Sequence, residues 1–148
     1  LADIPLPNGV LRVDKVSVPN PTSIRLGHYT LPENDGTPVK ESTSAKVPGA
    51  TIISNGEYSL AMVNLTDWNK TSVLHPEGIH PVSSTCGPIM NEKHVQQEEV
   101  MVTLILWKKG KKSFSKKELT PVKSIKGSDD KKSVEIVMAD KTVKKVTF

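Results

Sequence analysis

The residues best suited to chemistry lie in one short segment, residues 75–81 (HPEGIHP), where His75, Glu77 and His80 fall within six positions. Imidazole and carboxylate groups bind metal ions or transfer protons. The two histidines are five residues apart, a spacing that matches neither a helical i,i+4 pair nor same-face positions on a strand. The flanking prolines also disfavour a helix. Three interpretations stay open: a metal site, an acid–base pair, or a rigid loop whose histidines hydrogen-bond to the backbone.

A second candidate is Trp68, which lies between Asp67 and Asn69 in a polar turn. An exposed indole can stack on the apolar face of a sugar ring, while neighbouring carboxylate and amide groups bind the hydroxyls. The alternative is an indole folded back over the end of a β-sandwich. The candidate glycan-binding residues are Trp68, Asp67, Asn69, His75, Glu77, His80 and Tyr29.

Several kinds of site are missing from the sequence. It has no glycine-rich phosphate loop, no cysteine pair for zinc and no Gly-x-Ser-x-Gly nucleophile turn. Cys86 is the only cysteine, so an intrachain disulfide is impossible. We therefore assign no catalytic residue, no metal ligand and no cofactor.

Charge is divided unevenly along the 148 residues, whose net charge is +4. Residues 1–107 carry seven Lys or Arg against eleven Asp or Glu, whereas residues 108–148 carry thirteen Lys against five Asp or Glu. A basic segment without arginine is not typical of nucleic-acid readout, so no nucleic-acid partner is expected. Lysines on sheet edges prevent aggregation, and contact with an acidic glycan is the alternative.

Short β-branched runs separated by turn residues recur through the chain, and amphipathic helical periodicity is missing. The predicted strands cover residues 10–18, 24–31, 50–53, 57–63, 100–107, 119–126, 133–138 and 142–148. Residues 32–48 are predicted to be a mobile loop, and residues 68–92 are predicted to be irregular. No stretch approaches 18 apolar residues, so no membrane span is expected.

Two local patterns give sharper predictions. Asn55-Gly56 lies between two apolar runs, which predicts a hairpin whose two central residues both have positive φ. Residues 100–107 are apolar on both faces, which predicts a central strand between two layers, with Trp107 in the core. The fold class expected from these patterns is all-β: one antiparallel β-sandwich of about eight to ten strands with little or no helix.

Parts of the sequence resemble the C-terminal β-sandwich regions of bacterial heparinase II/III-like and related polysaccharide-active enzymes. The resemblance covers about a third of the chain: Trp68 and the 75–81 loop, residues 102–110, and the ending from Ile136-Val137 to Phe148. In that family the catalytic groups lie mainly outside the terminal sandwich. The resemblance therefore implies an accessory domain, and no catalytic residue is transferred.

The functional expectation is a non-catalytic accessory β-sandwich domain of a bacterial, secreted or periplasmic, carbohydrate-active protein. Its expected partners are a polysaccharide and a neighbouring catalytic domain of the same chain. Since the sequence starts at Leu1 rather than Met, residues 1–148 are expected to be a single domain from a longer protein. The alternatives are a protein–protein interaction module, and a lyase or hydrolase centred on the loop from His75 to His80.

Overall fold

The computed structural model describes residues 1–27, 40–43, 47–67, 70–73, 89–110 and 114–148. Within these ranges the chain forms twelve strands and one four-residue helix, and every strand pair is antiparallel. The elements are β1 (Ala2–Leu6), β2 (Gly9–Ser17), β3 (Thr22–Gly27), β4 (Lys40–Thr43), β5 (Ala50–Ser54), β6 (Tyr58–Asn64), β7 (Lys70–Val73), β8 (Ile89–Val95), β9 (Glu98–Lys109), α1 (Lys116–Leu119), β10 (Val122–Gly127), β11 (Ser133–Met138) and β12 (Val143–Thr147). The predicted all-β sandwich class is confirmed.

The strands form three sheets. The central sheet has the order β1-β2-β9-β6-β5-β4, the C-terminal sheet has the order β10-β11-β12, and the third sheet has the order β3-β8-β7. The first face of the central sheet packs against the C-terminal sheet, and the second face packs against β8 of the third sheet. The central sheet is therefore the middle layer of three.

The core between the central and C-terminal sheets is the larger of the two apolar clusters. It includes Leu11, Val13, Val63, Val102, Leu104, Leu106, Phe114, Leu119, Val134, Ile136, Met138 and Val146. The second cluster contains Ile53, Leu60, Met62, Ile89 and Ile105. Alternate residues of β9 enter the two clusters, which confirms that this strand lies centrally between layers.

The third sheet continues the β2–β9 pair beyond a bend. Ser17 pairs with Glu98 at the end of one ladder, and Thr22 pairs with Val95 at the start of the next. Residues 18–21, which contain two prolines, thus oppose only residues 96 and 97. The surplus residues on one strand bend the ribbon, and β8 then contacts the second face of the central sheet.

The hairpin predicted at Asn55-Gly56 is confirmed, since β5 pairs with β6 up to Ser54 and Ser59. The prediction of two positive φ angles is wrong, because only Gly56 in this turn has one, at 88°. Asn55 acts through its side chain instead. Its Oδ1 accepts hydrogen bonds from the backbone N–H groups of Glu57 and Tyr58.

Some other boundaries differ from the sequence prediction. Residues 68–92 were expected to be irregular, yet β7 and the start of β8 lie there. Residues 116–119 form α1 before β10, because Ser115 and Glu118 make a capping box that holds one helical turn. Strand β4 lies inside the predicted mobile loop, most of which is outside the described residues.

Glu118 also anchors α1 to the central sheet. Its Oε1 accepts a hydrogen bond from Lys108 Nζ at 2.8 Å, and its other oxygen accepts from the Ser115 N–H. The Lys108 bond is the main cause that lowers the pKa of Glu118 to about 2. The Lys108 ammonium also lies 4.6 Å from the centroid of the Phe114 ring.

We expect the Glu118 contribution to stability to be lost at acidic pH. A depressed folded-state pKa gives stability that is present above the ordinary carboxyl pKa of 4.5 and lost as pH falls through about 2. Glu118→Gln should therefore destabilise the domain by up to about 1 kcal/mol at pH 7, since the carboxylate is partly exposed and screened. Urea unfolding from pH 7 to pH 2 should show the two proteins converging below pH 4.5. A constant difference down to pH 2 would contradict this.

Lys141 provides a test of backbone strain. It has a φ of 70° in the turn between β11 and β12, a conformation that favours glycine. Lys141→Gly should raise the free energy of unfolding by about 0.5 kcal/mol, since relief of strain exceeds the added chain entropy. The matched control is Lys144→Gly within β12, expected to cost about 1 kcal/mol. Equal losses in both variants, measured by thermal unfolding, would show that the turn is not strained.

Candidate functional site

The structure describes one of the seven residues predicted to bind a glycan. Asp67 follows β6 and is exposed. The other predicted residues, Trp68, Asn69, His75, Glu77, His80 and Tyr29, lie outside the described residues. The predictions for the 75–81 loop and for Cys86 are therefore not tested by this structure.

The part of the chain that the structure describes contains no group of three or more His, Cys, Asp or Glu residues able to hold a metal ion. None of its helices is long and apolar enough to span a bilayer.

An exposed aromatic pair lies at one end of the second face. Trp107 was predicted to be in the core, and this prediction is wrong, because 47% of its surface is exposed. Tyr58, on the neighbouring strand β6, is 40% exposed. Trp107 is opposite Leu60 and Tyr58 is opposite Lys109, so the two rings occupy diagonal positions on one face. Aromatic side chains reach each other at such diagonal positions.

The reason for the exposure of Trp107 is the length of β9. The strand runs from Glu98 to Lys109, and Ile105 is buried against Ile89 of the third sheet. Trp107 is one step farther along the same face, beside the turn between β1 and β2, where its backbone N–H donates to the Asn8 carbonyl. The apolar run in the sequence thus continues past the part of the face that is covered.

Charged and polar groups border the aromatic pair. Lys109 and Glu57 form a loose ion pair, with 3.8 Å between Nζ and Oε1. Lys109 is largely exposed, and surface pairs of this kind contribute little to stability. The arrangement places hydrogen-bonding groups beside two partly exposed aromatic rings.

A row of polar residues crosses the same face about four residues farther along β9. Its members sit in one register line on β1, β2, β9 and β6: Asp3, Arg12, Thr103 and Asn64. Asp3 is exposed, whereas Thr103 is completely buried. The row therefore runs from solvent at the β1 edge into the interior under the third sheet.

Arg12 and Asp14 form the main ion pair of this region. Arg12 Nε lies 3.2 Å from each carboxylate oxygen of Asp14, on the same strand and face. The side chains are 21% and 8% exposed, respectively. Among the described residues no acceptor takes a hydrogen bond from the Nη1 or Nη2 groups of Arg12. The guanidinium thus neutralises a buried carboxylate through Nε, and its Nη1 and Nη2 groups take no part in this ion pair.

The inner end of the row is held by a reciprocal amide pair. Asn91 Nδ2 donates to Asn64 Oδ1 at 2.9 Å, and Asn64 Nδ2 donates to Asn91 Oδ1 at 3.3 Å. These bonds tie the third sheet to the central sheet. Asn64 also begins a glycosylation triplet, but in the fold its amide nitrogen faces the buried Asn91. Sugar attachment at this nitrogen is incompatible with the packing.

Two open cavities lie between the central and C-terminal sheets. The larger has a volume of about 580 Å³, with Leu6, Leu106 and Met138 among its lining residues and Lys117 and Asp140 at its polar rim. The other has a volume of about 400 Å³ and is lined in part by Val100, Val122 and Val134. They are gaps at the ends of the apolar core and contain no convergent set of reactive groups among the described residues.

Sequence reasoning missed both features of the second face. Nothing in residues 100–107 shows where the cover over β9 ends, so Trp107 and the buried Ile105 cannot be told apart by pattern. The strand predicted over residues 10–18 is confirmed by β2, and its alternation puts Val10, Arg12 and Asp14 on the second face, with Leu11 and Val13 buried on the other. Pairing of Arg12 with Thr103 depends on long-range register, which one sequence does not contain.

Comparisons of the chain with protein-family models, with curated proteins and with solved structures find no match. The resemblance to heparinase II/III-like enzymes stays a prediction.

Thr103 provides a test of the interior. Its Oγ1 is buried and, over the described residues, has no hydrogen-bond partner. Burying an unpaired hydroxyl costs about 1–3 kcal/mol, so the isosteric Thr103→Val should stabilise the domain by about 1 kcal/mol in urea unfolding. The matched control is Thr147→Val on exposed strand β12, which should change stability by less than about 0.5 kcal/mol. A destabilised Thr103→Val protein would show that the hydroxyl has a partner.

Proposed function

We propose that this chain is a non-catalytic accessory β-sandwich domain of a secreted or periplasmic bacterial protein that acts on carbohydrates. In this proposal the domain binds glycan on the second face of its central sheet, at Trp107 and Tyr58. The supporting observation is the exposure of both rings side by side on a rigid sheet. The sequence-based resemblance to polysaccharide-active enzymes points in the same direction.

Stacking is the chemistry that makes the aromatic pair suitable. The apolar C–H face of a pyranose ring covers an aromatic ring, and both lose contact with water. Placement on paired strands holds the indole and phenol in position before the ligand arrives, so little conformational entropy is lost on binding. Lys109 and Glu57 next to the rings supply a donor and an acceptor for sugar hydroxyls.

An accessory role requires no reactive group at this face. The carboxylates of Asp14 and Glu118 have structural partners, since Asp14 is paired with Arg12 and Glu118 with Lys108. Such a domain would raise the local concentration of a catalytic neighbour on its polymer substrate.

The proposal predicts that removal of the Trp107 indole weakens glycan binding. The protein should be tested on an array of neutral and acidic polysaccharides, and its best ligand measured by calorimetry. Trp107→Ala should weaken that binding tenfold or more, about 1.4 kcal/mol, and Tyr58→Ala should weaken it less. The control is Phe148→Ala, an exposed aromatic residue beside Lys15, which should bind as the wild type does. Failure of the wild type to bind any polysaccharide would overturn the proposal.

A second candidate is a protein-interaction module, which the same aromatic pair favours. Tyr and Trp are enriched at the centres of protein interfaces, where they contribute much of the binding energy. In that case neither the wild type nor Trp107→Ala would bind glycan. The substitution would instead weaken a self-associated form or a partner complex seen by sedimentation.

A further inference from the structure

A strip of the second face joins the aromatic pair to Arg12. Val10 is opposite Ile105, Arg12 is opposite Thr103, and the backbone N–H of Trp107 donates to the Asn8 carbonyl. Trp107, Val10 and Arg12 therefore follow one another along the strand direction on the same face. Asn8, which is level with Trp107, and Arg12 are four residues apart. The strip between Trp107 and Arg12 is therefore about 13 Å long, at about 3.3 Å per residue.

This strip borders solvent on its β1 side. Val10 is half-buried, and its cross-strand neighbour Pro5 is exposed. Asp3, the neighbour of Arg12, is also exposed. The third sheet covers the face near β9 and β6, as the buried Ile105 and Met62 show. Among the described residues, this strip of the second face is thus long and narrow, with an aromatic ring at one end and a guanidinium at the other.

The chemistry at the two ends differs. Trp107 offers a flat apolar surface. Arg12 offers the N–H groups of Nη1 and Nη2, from which no described residue accepts a hydrogen bond. These nitrogens donate in a planar fork that can hold adjacent oxygen acceptors. Val10, which lies between them, offers an apolar contact that does not require a particular ligand orientation. A ligand matched to this strip stacks at one end and presents oxygen atoms at the other.

Charge selects the class of ligand. The positive charge of Arg12 is already balanced by Asp14 at 3.2 Å, and the acidic Asp3 is across the strand. An anionic ligand would meet no uncompensated cation at this end of the strip, whereas hydroxyl oxygens accept hydrogen bonds from a neutralised guanidinium without electrostatic cost.

We infer that the strip from Trp107 through Val10 to Arg12 binds a linear chain of several neutral sugars, with Arg12 as the residue that binds the hydroxyls of the far sugar. The inference rests on the proposed glycan-binding function and adds the ligand class and the direction in which it lies. A single sugar reaches only Trp107, whereas a longer chain reaches both ends, so affinity rises with chain length until the span is filled.

Calorimetry with neutral gluco- and manno-oligosaccharides of one to five units tests this, beside a uronic-acid series of equal lengths. For the wild type, the affinity for the better neutral series should rise at least tenfold from one to four units and then level off. Arg12→Lys retains a cation for Asp14 but loses the planar fork, and should reduce affinity for the tetrasaccharide about fivefold while leaving the single sugar unchanged. Arg25→Lys is the matched control, since Arg25 pairs through Nε with Glu92 on the third sheet and should change neither.

The possible failures are distinct. No binding of any glycan by the wild type overturns both the proposed function and this inference. Binding that depends on Trp107 but not on chain length, or that Arg12→Lys leaves intact, overturns the inference alone. Tighter, salt-sensitive binding of the uronic-acid series overturns the neutral ligand class. The length series on the wild type decides the matter even if Arg12→Lys does not fold.

Discussion

Burial of β9 on both faces is the constraint on which the rest of the structure depends. A strand buried on both sides must have its backbone groups paired on both edges, and β2 and β6 provide these partners. It must also have a covering layer on each face, which the C-terminal sheet and β8 provide. The alternate residues Leu104 and Ile105 enter two separate cores for this reason. Where the cover ends, Trp107 is left exposed, so the candidate binding surface is the outer boundary of the packing.

The second face carries more polar groups than the first, and burying each of them costs free energy unless it has a hydrogen-bond or charge partner. Asp14 is compensated by Arg12, and Asn91 by Asn64, while Thr103 is buried without a described partner. Buried polar pairs add directional bonds to a layer contact that apolar side chains alone would leave free to slide. The contact between the central and third sheets is therefore specific in register although its apolar cluster is small.

The all-β class, the hairpin at Asn55-Gly56 and the central strand were predictable because they depend on local alternation and turn chemistry. Strand β1 was missed because it is short and contains Pro5, which is tolerated at a sheet edge. The exposure of Trp107 could not be predicted, since it depends on where β8 stops covering β9. The polar row could not be predicted either, because Arg12 and Thr103 are 91 positions apart in sequence and their register arises only in the folded sheet.

The pairing of β2 with β9 also determines when the domain can form during synthesis on the ribosome. Ser17 bonds to Glu98 across 81 positions of sequence, so the hairpin of β1 and β2 has no partner on the other edge of β2 until most of the chain has emerged. Until then the hairpin of β5 and β6 exists with its apolar face open to water. Non-local pairing of this kind is slow, and exposed strands attract other chains while they wait. The edge of β6 that pairs with β9 in the folded domain therefore stays open to other chains until β9 has emerged.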